Sequence, residues 1–338
     1  MSNYLTDFSI SYPWLENIHK QNFKKKSVIL IGTGLIAQQY AIALNQMKIN
    51  DVQIVSNSKQ KGNEFCKQFG FKNQLSGGYE KNLKNLDKAD LVIVSLPIHL
   101  LAITTKKLLK NNFTNLLIEK PGSLYSSDLL QLSKTITNQN VRIGYNRLLY
   151  PSFLKLKSIL YDEEISSCYF DFTEWVHKII FKKYPQDVYQ RWGISNSLHL
   201  ISMAFELIGM PKKMTTYRSG KLDWHKSGSI FVGSGISKFK IPFSYHANWE
   251  SGGRWIIEIM TKKGKYRLSP LEELHFCKLG ETKWKKIPLH IPFPKSKTGL
   301  SEEIASMLSD EKEIKEYLPS LKKSANYNKI ASKIFGYN

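Results

Sequence analysis

The feature that most constrains the fold is a junction near the amino terminus, where an apolar run turns into a helical segment. Residues 28–31 are all apolar, as in a strand buried in a parallel sheet. A glycine-containing turn follows at once, and apolar residues then recur at helical spacing up to Met47. The turn and the first helical positions are Gly32, Thr33, Gly34, Leu35, Ile36 and Ala37. We therefore expect a strand, a tight turn and a helix in this order.

The spacing of the small residues in this turn suits a ligand that carries phosphates. The first glycine allows the tight turn, the second lets a pyrophosphate approach the backbone, and a small residue at position 37 lets the helix pack close to its strand. The free N–H groups at the start of the helix then face the phosphates. Glycines alone are weak evidence, but here a strand precedes them and a helix follows. The pattern predicts a dinucleotide site at Gly32, Thr33, Gly34, Leu35 and Ile36.

The end of the second predicted strand, residues 51–55, bears on which dinucleotide is bound. About 20 residues after the glycine turn, a fold that prefers NAD places an Asp or Glu on the ribose. This chain has Ser56 and Asn57 there, with Lys59 and Lys61 nearby. Hydroxyl, amide and ammonium donors suit a 2′-phosphate, so we expect NADP in preference to NAD. The alternative is a polar loop that contains these residue types by chance.

Strands and helices alternate along the first part of the chain, which favours a doubly wound, Rossmann-type parallel sheet. The expected strands after the first two are residues 90–95, 116–118 and 141–145, and the helices between them are residues 59–69, 98–110 and 126–137. We assign residues 1–148 to this domain, with residues 1–26 as an amino-terminal extension.

The pattern changes beyond residue 150. A strand-like run covers residues 167–176, a helical period covers residues 196–208, and many short alternating runs lie between residues 230 and 279. Such runs are typical of an antiparallel sheet with one face in water. The fold class is therefore α/β, with a second, α+β domain over residues 149–338 that holds a large, mostly antiparallel open sheet and carboxy-terminal helices.

The charge of the chain invites a nucleic-acid interpretation, which the residue types oppose. The formal net charge is +21, but only six of the 49 basic residues are arginine, and the lysines are scattered. Proteins that read nucleic-acid grooves depend on arginine for bidentate contacts. We therefore expect a lysine-rich solvated surface that attracts anionic ligands, and no nucleic-acid partner.

Cysteine content and hydropathy favour a cytoplasmic protein without a metal or a membrane partner. Cys66, Cys168 and Cys277 are far apart and have no metal-ligand spacing, so reduced thiols are expected. The amino terminus lacks the long apolar core of a signal peptide. Residues 91–103, the most apolar later segment, are too few to span a bilayer.

A candidate catalytic residue follows the predicted strand at residues 116–118. That strand ends in Glu119, Lys120 and Pro121, so Lys120 is expected at the carboxyl edge of the sheet, where ligands bind in such folds. Partial desolvation there lowers the pKa of an ammonium group and makes proton exchange with a substrate hydroxyl feasible. The alternative is a surface lysine before a helix.

Together these motifs resemble the Gfo/Idh/MocA oxidoreductases, the relatives of glucose–fructose oxidoreductase and inositol dehydrogenases. The likeness covers essentially the chain after residue 26. The motifs that carry it are the glycine turn, Ser95-Leu96-Pro97, Glu119-Lys120-Pro121, Gly144-Tyr145-Asn146-Arg147 with Pro151, and a later helix with His199.

The resemblance implies a function, cofactor contacts and an assembly. Lys120 would be the catalytic lysine near the nicotinamide, and Ser95, Leu96, Pro97 and Glu119 would line the cofactor site. The reaction would transfer hydride between NADP or NAD and a sugar, a sugar nucleotide or a cyclitol. The loop at residues 175–189 is similar to that of family members from surface-polysaccharide pathways. A homodimer or homotetramer would form through the carboxy-terminal sheet.

The second half of the site is expected on the helix that carries His199. Family members commonly have Asp-x-Gly-x-His-x-x-Asp there, whereas this chain has Ser195, Ser197 and Ser202 around the matching histidine. Helical spacing places Ser195, Asn196 and His199 on one face. The resemblance implies a proton relay through Lys120 and His199, with Ser195 or Asn196 as hydrogen-bonding positioners. The loss of both aspartates leaves open a non-catalytic, cofactor-binding regulatory protein.

Further substrate contacts are expected from two short segments. Tyr145, Asn146 and Arg147 follow the last strand of the first domain, and Arg191 and Trp192 precede the His199 helix. An arginine and an indole could supply charge and a stacking face for a sugar. The alternatives are a turn residue at Asn146, and a salt bridge and a core aromatic at Arg191 and Trp192.

Overall fold

The structure is a computed structural model that describes residues 8–337; residues 1–7 of the predicted amino-terminal extension lie outside it. The chain divides into two compact units. The parallel-sheet unit comprises Glu16–Leu149 and Ile291–Asn326. The mixed-sheet unit comprises Tyr150–His290 with the described parts of Met1–Leu15 and Tyr327–Asn338. This division differs from the sequence-based one in two ways: residues 291–326 join the first unit, and the described residues up to Leu15 join the second.

The elements of secondary structure are as follows. The α-helices are α1 (Phe8–Asn17), α2 (Leu35–Gln46), α3 (Lys59–Phe69), α4 (Gly78–Asn82), α5 (Ile98–Lys110), α6 (Ser126–Ser133), α7 (Pro151–Leu160), α8 (Gln186–Gln190), α9 (Leu198–Ile208), α10 (Leu300–Leu308), α11 (Lys312–Lys315) and α12 (Leu321–Phe335). The strands are β1 (Ser27–Ile31), β2 (Asp51–Val55), β3 (Asn73–Leu75), β4 (Leu91–Val94), β5 (Asn115–Glu119), β6 (Asn140–Gly144), β7 (Ile165–Asp171), β8 (Pro211–Ser219), β9 (Ile230–Ser237), β10 (Pro242–Asn248), β11 (Ile256–Thr261), β12 (Gly264–Leu268), β13 (His275–Lys278) and β14 (Lys285–Lys286).

The parallel-sheet unit has the strand order β3-β2-β1-β4-β5-β6, with every pair parallel. The residues of β4 are all apolar and buried, as expected of a strand covered by helices on both faces. The predicted doubly wound parallel sheet is thus confirmed. The order of the strands reverses between β1 and β4, and ligands of such sheets bind outside the carboxyl ends at this reversal.

The mixed-sheet unit has the order β14-β13-β12-β11-β7-β10-β9-β8, in which only the pair of β7 and β10 is parallel. Its inner face packs on α9: Phe205 meets Phe170 and Phe243 edge to face, at 5.6 and 5.3 Å between ring centroids. The predicted large, mostly antiparallel sheet is confirmed.

Two strands of this sheet differ from the sequence analysis. β8 was not expected, because it is an edge strand whose lysines, Lys212 and Lys213, are exposed and mask the apolar alternation. β7 ends at Asp171, short of the predicted residue 176. The carboxylate of Asp171 accepts the Thr173 N–H at 2.7 Å, a local turn that ends the strand. In the stretch from residue 8 to 337, no helix has the length and hydropathy needed to cross a membrane.

Candidate functional site

The turn after β1 has a geometry that only glycine can adopt at its first position. Gly32 has φ +117° and donates its N–H to the Val55 carbonyl of β2 at 2.9 Å. A Cβ placed on Gly32 would lie 2.2 Å from the carbonyl oxygen of Ser95, the residue that follows β4. The chain therefore passes tightly between the ends of β2 and β4, at the reversal of strand order.

The second glycine faces open space. Gly34 caps the amino terminus of α2 with ordinary extended backbone, and a Cβ on it would meet nothing within 4 Å. The first N–H groups of a helix have no partners within it, so they are available to an anion in this space. Leu35 is 66% exposed and Ile36 is 37% exposed, whereas Ala37 is fully buried against the sheet. The predicted dinucleotide site thus has the open approach and the small third residue that a pyrophosphate requires.

The end of β2 offers fewer side-chain donors than the sequence suggests. Ser56 is buried, and its hydroxyl donates to the Ser58 carbonyl at 2.7 Å and accepts from the Gln74 amide at 3.2 Å. Its side chain therefore lies inside the unit and is not available to a ribose. Asn57 and Lys59 are exposed beside it, so they are the donors that a ribose or a 2′-phosphate could meet.

Lys120 lies at the carboxyl edge of the same sheet. It directly follows β5, which is paired with β4, and it is only 8% exposed. The backbone N–H of Ser95 donates to the carbonyl oxygen of Ile31 at 2.9 Å, so the end of β4 adjoins the glycine turn. Leu96 is half-buried and Pro97 is exposed at the start of α5. The predicted cofactor residues and Lys120 thus share one edge of the parallel sheet.

Behind this edge is a buried cluster that the sequence did not indicate. The Tyr40 hydroxyl of α2 lies 2.7 Å from the Glu119 carboxyl and 2.6 Å from the Glu303 carboxyl of α10. Burial raises the pKa of Glu303 well above its ordinary value, and the nearby Glu119 raises it further. Burial also raises the pKa of Glu119, although Tyr40 and the charge of Lys120 oppose this rise.

The chemistry of this cluster follows from its proton count. A hydroxyl has one proton, so Tyr40 bonds both carboxyl groups only when one of them is protonated. The charge of Lys120 favours the carboxylate form of Glu119, whereas the nearby Glu119 favours the protonated form of Glu303, so we assign the proton to Glu303. The negative charge of Glu119 therefore stands next to the Lys120 amine.

Tyr145 and Asn146 have structural positions in the parallel-sheet unit. Tyr145 is fully buried, and its hydroxyl lies 3.0 Å from that of Ser324. The Asn146 amide is buried too and donates to the Thr298 carbonyl at 3.0 Å. Of the three residues expected to contact substrate here, only Arg147 keeps a half-exposed side chain.

In the mixed-sheet unit, the helix with His199 begins with a π-helical turn, Gly193–Ser197. π-Helical turns are rare in proteins, and those that occur are often found at functional sites. Asn196 and Ser197 donate to the two carboxyl oxygens of Glu174, at 2.7 and 2.6 Å. Glu174 follows β7, and its side chain is 3% exposed. A carboxylate thus lies beside this helix although the aspartates common in the family pattern are absent.

The sequence analysis missed Glu174 because it placed residues 167–176 in one strand. A single acidic residue within a predicted strand does not indicate a functional site. Ser195 does not replace an aspartate: its hydroxyl donates to backbone carbonyls of Val188 and Arg191, at 3.1 and 3.3 Å. The Ser202 hydroxyl likewise donates to the carbonyl of His199.

Asn196 and Glu174 line an open cavity of about 250 Å³. The other lining residues are Trp175, Lys178, Ile179, Ile180, Lys183, Tyr184, Trp192 and Arg254. Trp192, which the sequence analysis expects to contact substrate, is among these lining residues. Arg191 is not among the lining residues, since its guanidinium donates to Ser332 and lies over the Tyr337 ring.

His199 is half-buried near this cavity. Its ring lies 6.3 Å from that of Trp255, which in turn stacks 4.6 Å from the guanidinium of Arg254. Asn196 and His199 are one helical turn apart, so the mixed-sheet unit groups an imidazole, an amide and a carboxylate.

Comparison with known proteins identifies the parallel-sheet unit. Residues 26–147 match the model of a family described as an oxidoreductase family with an NAD-binding Rossmann fold, GFO_IDH_MocA. This part of the chain belongs to the Gfo/Idh/MocA family. The resemblance inferred from the motifs is thus confirmed, and the matched residues form an NAD-binding domain of oxidoreductase type. None of the curated proteins matches the sequence.

Solved structures extend the likeness of the fold beyond this domain. A levoglucosan dehydrogenase in complex with NADH and levoglucosan is 16% identical, with 91% of this chain and 95% of that chain covered and a TM-score of 0.70. UDP-N-acetylglucosamine 3-dehydrogenase from Acidithiobacillus ferrooxidans is 12% identical, with 92% of this chain and 96% of that chain covered and a TM-score of 0.67. An NAD binding oxidoreductase from Klebsiella pneumoniae is 13% identical, with 92% of this chain and 96% of that chain covered and a TM-score of 0.74. At these identities the shared property is the fold.

Proposed function

We propose that this protein is an NAD(P)-dependent dehydrogenase or reductase that moves hydride between a nicotinamide and a carbinol or carbonyl carbon of a sugar, a sugar nucleotide or a cyclitol. The observation that carries the proposal is the position of Lys120, a buried amine at the edge of the sheet whose glycine turn is shaped for a pyrophosphate. The sugar-dehydrogenase names of two structural neighbours support it.

In this proposal the cofactor supplies or takes the hydride, and the chain positions the reactants and moves the proton. Lys120 exchanges a proton with the substrate hydroxyl, and the Glu119 carboxylate, held by Tyr40, favours its ammonium form when the proton arrives. His199 is the proposed second proton carrier, because an imidazole exchanges protons near neutral pH. Asn196, oriented by Glu174, is the proposed hydrogen-bonding contact to the substrate.

We further propose NADP as the preferred cofactor, with surface-polysaccharide metabolism as the setting. The exposed residues after β2, Asn57 and Lys59, supply an amide and an ammonium group where NAD-preferring folds have a carboxylate. The backbone N–H groups of α3 begin at the same place, since Ser58 caps that helix. An additional phosphate would therefore meet positive charge on two sides.

Self-association through the outer face of the mixed sheet is also proposed. On this face Tyr217 of β8 is directly opposite Val232 of β9, and both side chains are exposed. Ile236 of β9, two pairs along the same face, is exposed as well. A row of exposed apolar side chains on a sheet is typical of an interface between protein subunits, which supports a homodimer or homotetramer.

A non-catalytic cofactor-binding protein is the second candidate. It is favoured by Ser195 and Ser202, whose hydroxyls bond backbone carbonyls and cannot act as acids or bases. Glu174 argues against it, because it restores a buried carboxylate beside Asn196 and Ser197.

Turnover by the wild type separates the two candidates, and the variant Lys120→Met tests the role of Lys120. A panel of sugars, sugar nucleotides and cyclitols is screened by nicotinamide absorbance, and we expect the variant to lose about 100-fold or more in turnover, the usual value of a general acid–base. Its affinity for the cofactor, measured by calorimetry, is expected to remain. The matched control is Lys134→Met, an exposed lysine of the same unit.

Undiminished turnover in Lys120→Met would contradict the catalytic role of Lys120. A wild-type protein that binds the cofactor and turns over no member of the panel would favour the non-catalytic candidate.

A further inference from the structure

The cavity in the mixed-sheet unit has an excess of positive charge. Three of its lining residues are cations, Lys178, Lys183 and Arg254, and its one acidic residue is Glu174. The carboxyl group of Glu174 accepts hydrogen bonds from Asn196 and Ser197 and pairs with Arg254 at 3.4 Å. The carboxylate of Glu174 is therefore already hydrogen-bonded and ion-paired within its own unit. It does not neutralise the positive charge of the two lysines.

Neither Lys178 nor Lys183 has a carboxylate partner within the part of the chain that the structure describes. Other lysines of this unit, in contrast, form ion pairs with glutamates. Lys178 lies over the ring of Trp175 at 4.1 Å, and Lys183 lies over the ring of Tyr184 at 5.5 Å. Contact between an ammonium group and an aromatic face is attractive, so both amines are held beside the cavity.

Aromatic faces line the rest of the cavity. Arg254 is placed between Trp175 and Trp255, at 4.7 and 4.6 Å from the two rings. Trp192 is stacked on Tyr189, with centroids 6.2 Å apart and an angle of 6° between the planes. A rigid indole in a small cavity offers a flat apolar surface of the kind that the C–H face of a sugar ring can cover.

We propose that this cavity binds the substrate and that the substrate is a sugar with a negatively charged group. The inference rests on the proposed function and deepens it by naming the substrate class. The charged group meets Lys178 and Lys183, the ring stacks on the aromatic side chains, and Asn196 bonds a hydroxyl. A cavity volume of about 250 Å³ lies just below the usual range for ligand sites, which suits one sugar ring with its charged group.

Tryptophan fluorescence of the full chain tests the proposal directly. All seven tryptophans lie in the mixed-sheet unit, and Trp175 and Trp192 line the cavity. The probes are glucose, glucose 6-phosphate, glucuronate and UDP-glucose, titrated with and without NADP⁺. We expect at least one charged probe to bind about tenfold or more tighter than glucose, as one charged hydrogen bond provides.

The double variant Lys178→Met/Lys183→Met is expected to bind charged probes about tenfold or more weakly and to leave the affinity for glucose unchanged. The matched control is Lys238→Met/Lys240→Met, two exposed lysines of the same unit that do not line the cavity. The charged probe that loses most in the double variant identifies the source of charge as phosphate, carboxylate or nucleotide diphosphate.

Equal affinity for glucose and the charged probes, no binding of any charged probe, or full affinity in the double variant would overturn the proposal. The titrations without NADP⁺ do not depend on hydride transfer. Failure of the charged-sugar inference is therefore distinguishable from failure of the proposed function, which is read from cofactor binding and turnover.

Discussion

The buried carboxyl group of Glu302 makes the stability of the parallel-sheet unit depend on pH in a calculable way. Glu302 is the third residue of α10, and its side chain reaches back to the backbone N–H of Gly299, the residue that caps the helix. Burial raises the pKa of Glu302 to about 7, although bonds from the Glu302 and Gly299 N–H groups oppose the rise.

The sign of the effect follows from proton binding. Between the ordinary value of 4.5 and about 7, the folded chain binds a proton at Glu302 that the unfolded chain has lost. The stabilisation from this proton is complete below pH 4.5 and is lost as the pH rises to 7. The loss over the whole window is about 3 kcal/mol, from 1.36 kcal/mol for each pH unit. Glu302→Gln keeps an oxygen for the Gly299 N–H and has no proton to lose.

The assay is urea unfolding followed by two signals. Far-UV circular dichroism reports both units, whereas tryptophan fluorescence reports only the mixed-sheet unit, since all seven tryptophans lie there. Relative to wild type, the free energy of unfolding of Glu302→Gln should rise by about 2.5 kcal/mol between about pH 5 and about pH 8. This change is expected in the dichroism transition.

The control is Glu64→Gln, an exposed glutamate of α3 in the same unit. A stability difference between Glu302→Gln and wild type that stays constant with pH, or falls as the pH rises, would refute the reasoning. It would mean that Glu302 is ionised in the folded chain throughout this range.

Two further predictions concern the cofactor edge. Tyr40→Phe removes the hydroxyl between Glu119 and Glu303. The free energy of unfolding should fall by about 3 kcal/mol, because two hydrogen bonds to charged or buried carboxyl groups are lost. An unchanged urea midpoint in the dichroism transition would show that the cluster does not contribute to stability. NADPH should bind more tightly than NADH in calorimetry, and Lys59→Met should weaken NADPH more than NADH, because Lys59 is exposed after β2; equal affinities would remove the preference.

Local patterns predicted the elements of the fold well. The helices α3 and α5 have the expected bounds, because their helical period is uninterrupted and polar or proline residues mark the ends. The glycine turn was also predictable, since only glycine satisfies φ +117° beside the Ser95 carbonyl at Gly32. Both features depend on residues close together in the chain.

The parts of the site that the sequence did not indicate depend on distant contacts. Tyr40 and Glu303 are 263 residues apart, and no local pattern relates a tyrosine on α2 to a glutamate on α10. The same contact ties α10, which lies within residues 291–326, to the parallel-sheet unit. Glu174 became a candidate only when the structure placed it on Asn196 and Ser197. Ser56 was misjudged as a donor to the ribose because its neighbour Gln74 on β3 turns its hydroxyl inward.

The central claim is that the glycine turn after β1 holds a nicotinamide dinucleotide, and Gly34→Ala tests it most directly. A Cβ on Gly34 meets no atom of the protein within 4 Å, so the variant should fold with a stability within about 1 kcal/mol of wild type. The same methyl group would occupy the space where a pyrophosphate approaches the backbone. Gly32→Ala is the contrasting variant, because its Cβ meets the Ser95 carbonyl and should unfold the turn.

The measurement is a calorimetric titration of NADPH into wild type and Gly34→Ala. The account predicts that wild type binds one equivalent for each chain and that the folded variant binds about tenfold or more weakly. Absence of binding to wild type, or equal affinity in the variant, would contradict it.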